Sequence, residues 1–579
     1  MDQVNPVVSP SRPLAVSSAA AGHDSYLRHG STLAELLCLA LLGVLMGLAA
    51  RRLFAGITTA GMTGVDTFDY WRIANDLLHG HYEPYATSSH RLSFYALNAL
   101  ALKVLGANDY AIRAFIGGFA VLNIALVYLL AQAVARNRAV ALAAAALYAV
   151  NPVVMYYAGT ELPHITGATF VMICSLLSLP ATDRKADFRV RIAATFMMGV
   201  GVSAAVLTHE DLAFLGVGYF ILVALPLTAR TTAPGERRRD VALNAGAFVV
   251  GAVAAAACLM AIFGVTPWGM IQDTLRFRAE ADAKSALGIG EFFATVPARM
   301  IRSFTVDALG NVVTGLAAVA AVAAPIAFAA RRCEQLRRLL ILAIPVVIYV
   351  VGFLGIGRIY LGGYQRLLIP LLGPTLVFAL CGAFLLLRRP WRRAIAAALV
   401  AWAAYVVIGD RPWYFAPPAM SVHRQLYDAV KDWVGPQRKL LLPACFAIDF
   451  PYVGISSGVY LDGNVVPIYL MRDFVSLDAL ISANRAGYVF IPEAPRRGMW
   501  PRERIERLFR ETYGVAMERP LLDALPRLPP ELWRGDTRVE WTGAACDFEE
   551  QVLRQLLDRR GARVVLAVHN LGDVYELAR

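Results

Sequence analysis

The chain has 579 residues, 58% of them hydrophobic and 17% charged, with a mean hydropathy of +0.52. A soluble chain would carry about 25% charged residues, so an assembly of purely soluble domains is excluded. The formal net charge of +12 does not point to nucleic acid, because the basic residues cluster between apolar runs, as in a membrane protein obeying the positive-inside rule.

Residues 1–30 are rich in Ser, Pro and Ala and lack an apolar core. They read as a disordered N-terminal tail without a cleavable signal peptide. Apolar runs then fall at about 32–50, 111–135, 139–158, 162–180, 192–208, 212–229, 241–263, 305–330, 338–356, 367–387 and 393–409. Each approaches the roughly 20 residues that cross about 30 Å of hydrocarbon as helix. The expected fold is therefore a polytopic α-helical membrane domain over 31–410, with about eleven transmembrane helices and a large first loop at 55–110. The runs at 139–158 and 162–180 are predicted to form a tight helical hairpin.

Eighteen Lys and Arg residues occupy alternate connections, at 136–138, 182–191, 230–240, 331–338 and 388–393. The positive-inside rule puts these connections in the cytoplasm. Arg51 and Arg52, beyond the first run, dissent from that orientation. The N-terminus is expected inside and everything after 410 outside, which in a bacterium means a multi-pass inner-membrane protein with a periplasmic C-terminal domain. Residues 411–579 alternate strand-like runs ("KLLLPACFAI", "GYVFIPE", "ARVVLAVHN") with amphipathic helical ones ("PRERIERLFRETYG", "FEEQVLRQLLDRR"), as in a soluble α/β domain. Of seven cysteines, only Cys445 and Cys546 lie in that part. They could pair if it is extracytoplasmic.

With this orientation, ionisable residues gather at span ends on the outer side: Asp66 and Asp69, Glu161, His209 with Glu210 and Asp211, then Arg358, Tyr364 and Arg366. Charged groups at membrane depth are costly unless paired or used. In "DTFDYWRIANDLLHGHYEPY", Tyr70, Ile73, Ala74, Leu77 and Leu78 make an apolar stripe at helical spacing. This predicts a helix lying on an apolar surface. Asp66 and Asp69 stand at its start, where a carboxylate suits the positive helix end and Asp66 suits an N-cap.

Asp66, Tyr70, Ala74 and Gly80 are spaced as in the GT-C glycosyltransferases, which this chain resembles. The likeness is to the branch of protein O-mannosyltransferases, aminoarabinose transferases and lipopolysaccharide-core sugar transferases. "HRLSFYALNALALKVLGANDYAIR" continues it, with Ala111 and Arg113 as the Ala-x-Arg element. "NPVVMYYAGTELPHITGA", with Glu161, and "YQRLLIPLLGP", with Tyr364 and Arg366, extend it. Thr67 stands where the family keeps the Glu of an Asp-Glu pair, which leaves Asp69 to supply a second acid.

The resemblance implies sugar transfer from a polyprenyl-phosphate donor, by direct inverting displacement, to an acceptor hydroxyl on a cell-envelope glycan, lipid or protein. Asp66 is expected as the base, assisted by Asp69 or Glu161. Arg366, Tyr364 and Arg358 are expected at the lipid phosphate, helped by Arg276 or Arg278. Tyr70, His90, Arg91, His209 and Glu210 are expected to line the substrate. No cofactor is expected. His209, Glu210, Asp211 and His164 leave a divalent metal as a secondary reading, since their spacing matches no strong motif such as H-E-x-x-H. "GRIYLGG" lacks the strand–loop–helix context of a phosphate loop.

The rival reading is a transporter or flippase for a lipid-linked or small solute. Such a protein would carry charges or helix breaks at mid-span and repeat symmetry, whereas these span centres are plain Ala, Val and Leu. A non-catalytic member whose soluble domain binds an envelope polymer is the third reading, kept open by Thr67.

Overall fold

The structure is a computed structural model. It describes residues 20–55, 57, 65–82, 91–183, 186–224, 234–273, 334–355, 364–387, 389–408, 422–443, 464–468, 485–492, 554, 557–558, 561–568 and 572–577. The run at 305–330, Cys445, Cys546 and most of the two amphipathic C-terminal stretches lie outside the described residues.

The helical part runs α1 (Ala20–Phe54), α2 (Val65–His79), α3 (Leu92–Leu105), α4 (Ala111–Ala135), α5 (Arg138–Ala149), α6 (Pro152–Ala158), α7 (His164–Thr182), α8 (Phe188–Val206), α9 (Ala213–Ala224), α10 (Pro234–Phe263), α11 (Glu334–Gly355), α12 (Tyr364–Leu386) and α13 (Arg389–Ile408). Among the described residues, six helices are long and apolar enough to cross a membrane, and Leu92–Leu105, Arg138–Ala149 and Leu368–Phe384 are shorter apolar helices. Leu33, Leu36 and Leu37 of α1 and Val250, Val253 and Ile262 of α10 are exposed. Apolar side chains facing outward from helices of this length identify a multi-pass membrane protein.

Three elements differ from the expected layout. Helix α1 begins at Ala20, inside the segment read as a tail. The first loop contains a second apolar helix, α3, with Leu92, Phe94, Tyr95 and Leu102 buried. The run at 139–158 is not one span but breaks between α5 and α6. Pro152 disfavours helical backbone at the residue before it and has no N–H to donate. The Asn151 side chain instead accepts from the Val153 and Val154 amides and caps α6, as Asn137 caps α5.

The membrane helices pack through small residues and internally bonded polar groups, as apolar surroundings require. The Thr169 hydroxyl donates to Asn123 Oδ1 at 2.7 Å, the Asn123 amide donates to the Ile165 carbonyl, and Ser175 and Tyr219 share a bond of 2.7 Å. Helices α8 and α10 meet backbone to backbone. A Cβ on Gly199 would lie 2.1 Å from the Phe248 carbonyl oxygen, and one on Gly251 would lie 2.2 Å from that of Phe196.

The basic connections share one end of the bundle. Arg337 donates to the Thr182 carbonyl, Arg338 to that of Ala133 and Arg392 to that of Leu387. Arg191 and Asp240 pair at 3.0 Å. Cations at the open carbonyls of helix C-termini are favourable. The same physics accounts for Arg51 and Arg52, which lie in the last turn of α1.

After α14 (Val422–Val430) comes a five-stranded sheet: β1 (Lys439–Pro443), β2 (Val465–Ile468), β3 (Ala486–Pro492), β4 (Arg563–Val568) and β5 (Gly572–Glu576). The order is β2-β1-β3-β5-β4, with β1 parallel to both neighbours and β5 antiparallel to both of its own. Leu426 and Val430 of α14 pack on Leu440, Tyr488, Phe490 and Val574. Strands β1, β3 and β4 fall in the runs expected to be strands. Strand β2 carries Pro467, which an edge position tolerates.

Candidate functional site

The end of the bundle opposite the basic connections holds the polar groups. Helix α2 carries Asp66 as its second residue and Asp69 as its fifth, so Asp66 lies within the helix rather than at its N-cap. One turn on, Tyr70, Ile73 and Ala74 are buried, while Leu78 is exposed. The stripe is therefore narrower than expected. The helix closes at Gly80, whose φ is +72°. The Gly80 amide donates to the Leu77 carbonyl and the His81 amide to that of Asp76. This pair of bonds favours glycine at the left-handed residue.

Tyr70 fixes α2 to its neighbours. Its ring meets Phe94 edge to face at 5.0 Å, and its hydroxyl accepts from the Arg91 guanidinium. Arg91, just before α3, also places Nε 3.8 Å from Glu210 Oε2. The Ser93 amide donates to the Leu207 carbonyl at 3.0 Å, so the start of α3 is stitched to the end of α8. Helices α2 and α3 and the turn that follows α8 are thus joined through Tyr70, Arg91 and Glu210.

Between α8 and α9, a single turn (Glu210–Leu212) follows His209. His209 Nδ1 lies 3.6 Å from Asp211 Oδ2 and 3.9 Å from Glu210 Oε2. His164, the first residue of α7, brings its ring to 4.8 Å from that of His209, and the Tyr157 ring lies beyond it at 6.3 Å.

Glu161 is placed differently. It is fully buried and paired at 3.0 Å with Arg113, whose Nε also donates to it at 3.2 Å. The structure therefore brings together Tyr70, Arg91, His209 and Glu210, and holds Glu161 on Arg113. Tyr364 and Arg366 stand in the first turn of α12. The side chains of Asp66, Asp69, Tyr364 and Arg366 lie outside the described residues, as do His90, Arg358, Arg276 and Arg278 altogether. Arg113 as the partner of Glu161 escaped the sequence reading. Its signal was an arginine three residues into an apolar helix, a place where a charge needs a partner.

No protein-family model matches the chain, and neither does any curated protein. Solved structures do match. ArnT from Cupriavidus metallidurans in the apo state is 12% identical, with a TM-score of 0.50, over 94% of this chain and 98% of that one. The chain has the GT-C fold. Two further matches have lower scores. The Archaeoglobus fulgidus oligosaccharyltransferase, in complex with Zn and sulfate, is 15% identical with a TM-score of 0.45, over 78% of this chain and 67% of its own. ArnT bound to undecaprenyl phosphate is 14% identical with a TM-score of 0.38, over 94% and 98%.

Proposed function

We propose that this protein is an inverting glycosyltransferase of the bacterial inner membrane. It moves a sugar from a polyprenyl-phosphate donor to an acceptor hydroxyl of a cell-envelope glycan, lipid or protein at the outer face. The observation that carries this reading is the link from Tyr70 through Arg91 to Glu210. It holds the helix bearing Asp66 against the turn between α8 and α9, at the end of a GT-C bundle away from the basic loops. A base held on a rigid element, at a membrane edge where a lipid tail can stay in hydrocarbon, is what this transfer needs.

In the step itself, the acceptor oxygen attacks the anomeric carbon while the Asp66 carboxylate takes its proton. The bond from the anomeric carbon to the phosphate oxygen breaks, and the electron pair leaves with the polyprenyl phosphate. Arg366, at the start of α12, stabilises that charge, because a guanidinium stays ionised and matches phosphate oxygens in pairs. Tyr364 and Arg358 are assigned beside it. Asp69 assists Asp66, and Tyr70, His90, Arg91, His209 and Glu210 line the site. Glu161 is better read as a positioning residue than as a base, since its carboxylate is committed to Arg113. The C-terminal sheet faces the periplasm in this reading.

Against a transporter stand the described mid-span polar groups, Asn123 with Thr169 and Ser175 with Tyr219. They are uncharged and bonded to one another. The test is transfer in membranes supplied with polyprenyl-phosphate sugars. Asp66→Asn should abolish transfer at unchanged protein level, and full activity in that variant would overturn the assignment of the base.

A further inference from the structure

His209, Glu210 and Asp211 are consecutive, and consecutive residues of a regular α-helix point around its axis rather than to one place. Here the extended backbone of His209 (φ −154°, ψ 121°) leads into the single turn Glu210–Leu212, and this change of direction gathers the three side chains. One ligand-type atom from each lies within 4.8 Å of the others. The two imidazole–carboxylate distances, 3.6 and 3.9 Å, exceed a hydrogen bond, whose heavy atoms lie about 2.7–3.2 Å apart. They approach the separation of two ligands on one tetrahedral ion, about 3.4 Å for metal–ligand bonds near 2.1 Å. The fold supplies the geometry that sequence spacing could not. His164, 45 residues earlier and on another helix, sets its buried ring 4.8 Å from that of His209.

We propose that His209, Glu210 and Asp211, with His164 beside them, form a divalent-cation site at the turn between α8 and α9. Two imidazoles and two carboxylates are a donor set for zinc or a similar first-row ion, not for calcium or magnesium, which prefer oxygen alone. Arg91, 3.8 Å from Glu210 Oε2, is the positive neighbour the ion would have. The stronger ligands are therefore His209, Asp211 and His164, with Glu210 shared between the ion and Arg91.

The test uses the full chain in detergent, purified through a tag without histidine, stripped with chelator and then titrated with Co2+ and Zn2+. One ion per chain should bind. Co2+ should give visible ligand-field bands without thiolate charge transfer, which separates this site from the free cysteines Cys38, Cys174, Cys258 and Cys381. His209→Gln and Asp211→Asn should each weaken binding at least tenfold, and His164→Gln should change the band shape. Asp211→Asn keeps the side chain's size, so a monodisperse elution profile shows that its loss of binding is not loss of fold. Absence of binding in the wild type, unchanged affinity in His209→Gln and Asp211→Asn, or thiolate bands would each overturn the site. Binding is read without a sugar donor, so its failure is distinct from failure of the glycosyltransferase reading.

Discussion

Arg113 and Glu161 form an ion pair of 3.0 Å in which both side chains are withdrawn from solvent. It joins the third residue of α4 to the connection between α6 and α7, 48 residues away. Breaking a buried pair by removing one partner leaves a bare charge and costs about 3–5 kcal/mol, whereas replacing both by apolar groups is often neutral. Glu161→Ala should therefore lower the thermal midpoint of the detergent-solubilised protein sharply. The double variant Arg113→Met with Glu161→Leu should recover most of the loss. If that double variant also transfers sugar, Glu161 is a positioning residue; if it folds but is inactive, Glu161 is part of the chemistry.

Arg91 connects Tyr70 and Glu210, so its loss should loosen the start of α2 and with it Asp66. Arg91→Met should lower turnover by about 10²-fold, the scale seen when one preorganised hydrogen-bond donor is removed. Arg91→Lys keeps the charge but not the fork and should recover only part of it. Tyr70→Phe removes one hydrogen bond to a charged group, worth about 1.5–3 kcal/mol, and should fall between them. Equal activity in all three would break the link between this contact and transfer.

The topology makes its own prediction. A reporter fused after residue 410 should give a periplasmic signal, because the basic ends near Arg138, Arg191, Arg337 and Arg392 mark the opposite side under the positive-inside rule. A cytoplasmic signal would put Asp66 and Arg366 on the wrong face of the membrane.

Six of the expected spans were legible because about twenty apolar residues in a row have few other uses, and Gly80 stood where the resembling family ends this helix, at a left-handed residue that favours glycine. The break at Asn151 was present as a cap followed by proline, but alanine and valine on both sides hid it within one apolar run. The pairing of Arg113 with Glu161 was not legible, since helix packing rather than spacing brings them together, whereas residue type alone groups His164 with His209, and the rings do meet. Strand β5, "GDVYE", reads as polar because its acids are balanced across the sheet. Asp573 pairs with Arg554, and Glu576 with Arg438 and Arg563.

The contact of α8 with α10 depends on two glycines. A methyl at Gly199 would meet the Phe248 carbonyl at 2.1 Å, a position where backbone rather than a movable side chain must yield. Overpacking of this kind costs about 1–3 kcal/mol. Gly199→Ala and Gly251→Ala should each lower thermal stability in detergent. Gly118→Ala, where a methyl meets nothing within 4 Å, should not. Equal behaviour of all three would mean that the helices are free to separate.

Glu576 lies in the C-terminal sheet, outside the membrane, where hydrogen bonds from Arg438 and Arg563 hold its carboxyl below the ordinary value of 4.5. The folded-state pKa is the depressed one. The clasp therefore contributes in full above the ordinary value and is lost as pH falls through the lowered one. Its geometry matters beyond the charge, because Arg438 also lies over the Tyr488 ring at 4.3 Å and so ties β5 to β3. Below about pH 4.5, the amides of β5 should lose protection relative to their intrinsic exchange rate, while they stay protected at neutral pH. Glu576→Gln should exchange faster at neutral pH and lose this acid step. Because the pair is exposed, high salt should mimic part of that effect in the wild type. An acid step of the same size in Glu576→Gln would assign it to another carboxylate.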